Sequence, residues 1–291
     1  MRVLQVYRHG LTMGTPPATS THKRTERSSV SGWSVGATRR NIAFLRSIDE
    51  TKVNLLNGSE LIPLAITLTV RDCPATSDEW HKARDLLIRR LKYLGMVRMH
   101  WVIEWQARGV PHIHCAAWFE QQDFVALNQS IVKGWLDLAG KWGAGHRGQF
   151  IKPITGAVGW FQYVSKHAAR GVNHYQRSPE NIPEEWKNKT GRVWGKVGDW
   201  DSVRVPGGRI DIESSDYYRL RRLIRNWRLA DARSNVSPSG VKRIVQARNM
   251  LKSNIKSASD VRGVSEWVSE NTVIKLYSWL LANPKQTSSD S

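Results

Sequence analysis

Cysteine is scarce in this 291-residue chain: only Cys73 and Cys115 occur, far apart and in no metal-binding spacing. That usage speaks against a disulfide framework and fits a reducing, cytoplasmic compartment. Long apolar runs are missing as well. No stretch approaches the roughly 18 apolar residues of a membrane span, and the first residues lack the apolar core of a secretory signal. Acidic residues are the minority charge, 25 Asp and Glu against 44 Lys and Arg, for a formal net charge of +19. A surplus of that size favours polyanionic partners and salt-sensitive binding, although a merely basic protein would show it too.

What is present suffices for one large domain or two smaller ones, since single domains commonly run about 100–200 residues. The 14 tryptophans are an unusual load. Aromatic faces interleaved with Arg can stack on unpaired bases, while most tryptophans belong to cores. Residues 1–40 read as a mobile basic arm, because Gly10 to Arg40 is rich in Thr, Ser, Gly and Arg. Residues 41–208 form the expected main domain, 209–283 a helical basic C-terminal region and 284–291 a disordered tail.

Within the main domain Leu64 to Val70 alternates apolar and small residues with the period of a half-buried strand. Ser77 caps an expected helix over 78–94, with acids in its first turn and Gly95 just past its end. Strands over 97–106 and 110–119, a helix over 123–139, a short strand near 149–152 and a helix over 156–170 follow. This order implies an α+β fold with a central antiparallel sheet and flanking helices. The stretch 173–208 is dense in Pro, Gly, Asn and Trp and reads as irregular surface structure. Arg219 to Arg228 holds five Arg and no acid, with apolar residues at helical spacing. Arg221 and Arg225 on that helix are candidate contacts to a DNA backbone, or part of a solvated face.

The segment Trp101 to Phe119, WVIEWQARGVPHIHCAAWF, carries the chemistry. Residues two apart on a strand share a face, so His112 and His114 can converge on one cation. A lone His-x-His pattern is weak evidence, but the register strengthens it. Ala107, Arg108 and Gly109 suit a three-residue hairpin loop with Gly in the left-handed position, which sets Glu104 opposite His112. Arg98, His100, Val102 and Glu104 then share a face with the two histidines, and the other face is core. One carboxylate and two imidazoles form a set suited to Mn²⁺ or Mg²⁺ acting as a Lewis acid, with Zn²⁺ still open. A two-residue loop would reverse the parity and break this arrangement.

In the expected helix over 156–170, Tyr163, Lys166 and Arg170 share the polar side. At this point the chain resembles the HUH endonucleases, in particular rolling-circle replication initiators of small phages, plasmids and single-stranded DNA viruses. Their Thr-rich strand is matched by LAITLTV, their His-hydrophobic-His strand by Pro111 to Cys115, and their Tyr-x-x-Lys helix by Tyr163 to Lys166. The resemblance covers about Leu64 to Arg170. The tyrosine follows the histidines, as in initiators and related transposases and unlike conjugative relaxases. His167 stands where two-tyrosine initiators carry a second Tyr, so the single-tyrosine class is implied. Gly191 to Gly195 (GRVWG) resembles a Trp-Gly element of filamentous-phage initiators.

The resemblance implies Tyr163 as nucleophile, Lys166 as its cationic helper, and Glu104, His112 and His114 as ligands of a divalent cation. It further implies single-stranded or hairpin origin DNA as substrate; Thr67 and Thr69, on the site-facing side of their strand, and Arg170, on the polar side of the tyrosine helix, are candidate DNA contacts. No Gly-x-x-x-x-Gly-Lys-Ser/Thr loop occurs, so unwinding and synthesis fall to a separate helicase and polymerase of the host. Two rivals stand beside this reading: a single-tyrosine transposase, and a non-catalytic single-stranded DNA-binding or regulatory protein.

Overall fold

A computed structural model describes residues 2–14, 32–49, 51–154, 176–201 and 204–234, parts of 241–248, and 270–282. The helix expected over 156–170 lies outside the described residues. The chain divides into two compact units, one of residues 24–202 and one of residues 1–23 with 203–291.

The smaller sheet belongs to the second of these units. There Arg2–Tyr7 (β1) pairs with both Gly10–Gly14 (β2) and a strand over Arg204–Ile212. The first residues are therefore a strand rather than an arm.

In the first unit, a short hairpin of Leu55–Leu56 (β3) and Ser59–Glu60 (β4) leads into the main sheet. Ile62–Thr69 (β5), Met96–Trp105 (β6), Pro111–Phe119 (β7), Phe150–Pro153 (β8) and Trp194–Val197 (β9) form five antiparallel strands of order β8-β5-β7-β6-β9. Helices Val35–Ser47 (α1), Ser77–Tyr93 (α2) and Phe124–Ala139 (α3) accompany it, with a four-residue helix at Glu184–Lys187 (α4). The fold is thus mixed α and β, with an antiparallel sheet as expected. Local chemistry explains the helix starts. Asp123 accepts from the Ala126 amide at 2.7 Å, and Thr76, rather than Ser77, caps α2 by accepting from Glu79. The Ser77 hydroxyl donates instead to the Lys189 carbonyl.

One face of the sheet is the apolar core. Leu64, Ile66, Leu68, Met99, Trp101, Ile103, Trp105 and Ile113 are buried in one cluster with α2 and α3 residues such as Trp80, Leu87, Ile131 and Trp135. Trp80 meets Trp135 edge-on at 5.5 Å, a geometry contributing about 0.5–1.5 kcal/mol beyond area burial. Nine tryptophans, Trp33, Trp80, Trp101, Trp105, Trp118, Trp135, Trp142, Trp186 and Trp200, are buried. Those nine supply packing, not a surface for bases.

Residues 176–201 are largely irregular in backbone but do not lie wholly on the surface. Ile182, Trp186 and Val193 join the core, and β9 pairs with β6 so that Gly195 faces Trp101. A Cβ at Gly195 would lie 2.6 Å from the Trp101 ring, which gives the Trp-Gly element a packing reason. The helix α1, capped by Ser34 accepting from the Ala37 amide at 3.0 Å, extends regular structure into the stretch read as a mobile arm.

In the second unit, Arg204–Ile212 is β10, and the helices Ser214–Ser234 (α5) and Glu270–Ala282 (α6) lie after it. Leu4 and Val6 of β1 pack with Ile212, with Leu220 on α5, and with Val273, Leu276 and Leu280 on α6. Helix α5 spans Arg219 to Arg228. No helix among the described residues is long and apolar enough to cross a membrane.

Candidate metal centre

The hairpin between β6 and β7 has the loop its sequence demands. Gln106 donates its amide to the Val110 carbonyl at 2.9 Å, and Gly109 takes a φ of 77°. Glu104 consequently pairs with His112 and Val102 with His114. On the other side of β7, Thr69 pairs with His112 and Thr67 with His114. Glu104, His112, His114, Thr67 and Thr69 therefore share one face.

One ligand atom from each of Glu104, His112 and His114 lies within 4.8 Å of the others. Ligands at about 2.1 Å from an ion sit about 3–4 Å apart, so small side-chain adjustments close the set. The Thr67 hydroxyl lies 2.9 Å from His114 Nδ1. With Nδ1–H donating to that oxygen, Nε2 carries the lone pair, and it faces Glu104 Oε2 at 3.9 Å. The two imidazole rings stand edge to face at 4.5 Å. A carboxylate oxygen with two imidazole nitrogens is a donor set that fits a divalent cation.

Glu104 is fully buried, and Arg177 is the residue that sequence reasoning missed. Its Nε and Nη2 contact Glu104 Oε1 at 2.8 and 2.7 Å, and both side chains are without solvent exposure. The guanidinium also lies 3.9 Å from the centre of the Trp33 ring. Arg177 fixes one oxygen of the carboxylate and turns the other towards His114. Nothing in the Pro- and Asn-rich stretch around it signals this role, because the contact spans 73 positions.

The site-bearing face is not open along its whole length. His100 is fully buried, its Nε2 2.7 Å from Asn41 Oδ1 of α1, and burial holds its pKa down to about 3. Phe44 of α1 stacks on His100 at 5.7 Å, and Arg98 donates to the Val53 carbonyl at 3.0 Å. The face that carries the site is thus covered in part, α1 packing over the β6 side. Burial then falls from β6 through β7 to β5 and β8.

Thr69 turns its hydroxyl to the Gly148 carbonyl at 2.8 Å. Tyr163, Lys166 and Arg170 lie outside the described residues. Arg221 and Arg225 lie on α5 of the other unit, with Arg225 half-buried and the Arg221 side chain outside the described residues.

The profile of a family described as replication-associated protein ORF2 matches residues 63–168, the stretch that carries β5, the cluster and the Tyr163 motif. A replication-associated protein of Pseudomonas phage Pf3 is 51% identical over 282 residues, 96% of this chain and 97% of its own length. A chain of Xylella fastidiosa strain 9a5c named as a replication protein is 50% identical over 273 residues, 92% of each chain. No solved structure matches. These matches place the chain among replication-associated proteins. More narrowly, the chain belongs to the ORF2 family of replication-associated proteins, alongside that of phage Pf3.

Proposed function

We propose that this protein is a replication initiator, a single-tyrosine nicking enzyme of the HUH endonuclease type, acting on single-stranded or hairpin origin DNA. The supporting observation is the register that sets Glu104, His112 and His114 on one sheet face. These residues would hold Mn²⁺ or Mg²⁺, which as a Lewis acid polarises a phosphate oxygen.

The Tyr163 oxygen attacks phosphorus, the bond from phosphorus to the 3′ oxygen breaks, and that oxygen leaves as a 3′-hydroxyl after taking up a proton. The product is a 5′-phosphotyrosine, which keeps the energy of the broken bond so that rejoining needs no ATP. A phenol with an ordinary pKa near 10 needs nearby positive charge at neutral pH, a duty for Lys166. Glu104 and Arg177 cancel in charge, so an ion at this cluster would keep its full positive charge for the phosphodiester. The 3′-hydroxyl primes a separate polymerase in the host cytoplasm, with a separate helicase opening the duplex.

The test is a labelled library of single-stranded oligonucleotides incubated with Mn²⁺. A protein–DNA adduct that survives denaturation is expected, and Tyr163→Phe should abolish it. Adduct formation by the Phe variant would refute Tyr163 as nucleophile.

A further inference from the structure

The sheet ends at an edge strand, β8, whose side chains on the site-bearing face are Phe150 and Lys152. Phe150 pairs with Thr67, and Thr67 pairs with His114, so one row crosses three strands. With strands about 4.8 Å apart, Phe150 stands about 10 Å from His114 on the same face. It is 55% exposed, although burying a Phe side chain would contribute about 1.5–3 kcal/mol. Folding therefore gains little from this ring.

Its surroundings point to a polyanion with flat groups. Lys152 Nζ lies 5.6 Å from the Phe150 ring centre. A groove of about 780 Å³ lined by Phe150, Gln149 and Lys133 meets, at His146, a second of about 370 Å³ lined by Thr69, Arg108 and Arg147. No lining residue of either groove is acidic. The second groove reaches Thr69, which pairs with His112. His146 thus lines both grooves, the first between β8 and α3 and the second beside Thr69 with Arg71, Arg108 and Arg147.

We propose that Phe150 and Lys152 form a platform for unpaired DNA. One base stacks on the Phe150 ring, and Lys152 meets a neighbouring phosphate of the strand that leads to the Glu104–His112–His114 cluster. Calling that strand the nicked one rests on the function proposed above; the stacking itself needs no cleavage.

The test measures binding without chemistry. A labelled oligothymidylate of about 20 nucleotides, longer than the roughly 4–16-nucleotide footprints of such sites, is titrated with the full chain in chelator and followed by anisotropy. Phe150→Ala should weaken binding about 5- to 150-fold, the equivalent of one lost base stack, and Phe150→Trp should stay within about twofold of wild type. Lys152→Gln should flatten the dependence of log affinity on log salt by about 0.7, the value of one phosphate contact on a single strand. Wild-type affinity in Phe150→Ala, or equal losses in the Ala and Trp variants, would overturn the platform. Absence of the Tyr163 adduct with Phe150-dependent binding intact would instead refute nicking and leave the platform standing.

Discussion

Replacing Arg177 by Met tests whether Glu104 is held by a buried ion pair. The two contacts to Glu104 Oε1, at 2.8 and 2.7 Å, lie between side chains with no solvent exposure, and Trp33 covers the guanidinium at 3.9 Å. An exposed pair of this kind contributes about 0–1 kcal/mol, because water screens both charges. Here Met would fill similar volume and leave the Glu104 carboxylate buried without the guanidinium that neutralises it. Breaking a buried pair from one side costs about 3–5 kcal/mol, a large part of the roughly 5–15 kcal/mol that keeps a domain folded. Urea unfolding in chelator measures the loss for Arg177→Met, Glu104→Gln and the double variant. The double variant should recover much of the loss, since it removes both charges and leaves neither one stranded. A loss below about 1 kcal/mol in Arg177→Met would show that the carboxylate does not depend on this partner, and the account of Glu104 positioning would fail.

Thr67→Val keeps a β-branched side chain but loses the hydroxyl at His114 Nδ1, so Mn²⁺ affinity measured by calorimetry should fall about 10- to 100-fold with little change in the unfolding midpoint. Unchanged affinity would remove Thr67 from the site. Acid should destabilise the first unit through His100, whose pKa burial lowers from 6.5 to about 3. Between those values the unfolded chain binds a proton that the folded one refuses, so this contribution is complete above about pH 6.5 and shrinks by up to about 1 kcal/mol per pH unit below it. Unfolding midpoints from about pH 7 to about pH 5 should show that slope, and His100→Gln should reduce it.

The hairpin and its consequences were legible because strand geometry has period two and the loop length fixes parity. Once Ala107, Arg108 and Gly109 are read as the loop, Glu104 must oppose His112, and Met99, Trp101, Ile103 and Trp105 must take the other face. The covering of the site-bearing face was not legible. The α1 sequence VGATRRNIAFLRS has little apolar periodicity, and its place depends on Asn41 and Phe44 meeting His100 and Trp194 from other parts of the chain. Residues 176–201 looked like surface because irregular backbone leaves no periodic signal. Their burial rests on distant partners instead, such as the Pro74 carbonyl that accepts from Trp186 Nε1 at 3.0 Å. The pairing of β1 with β10 joins the two ends of the described sequence before α5, as in Arg2 with Ile212, and nothing local announces it.

The partial cover has a consequence for how a strand of DNA could reach the cluster. On the site-bearing face Arg98, His100, Val102 and Glu104 of β6 are buried, His114 of β7 is half-buried, Thr67 and Thr69 of β5 are half-buried, and Phe150 and Lys152 of β8 are exposed. The gradient runs across the strands, from a side sealed by α1 to a bare edge. Among the described residues, a polymer too large to enter from the sealed side meets the cluster along β8, over the exposed ring and its lysine. Burial of Glu104 and Arg177 at the inner end keeps their geometry fixed, since each constrains the other. Under the proposed function a DNA strand would therefore approach along β8, where Phe150 lies.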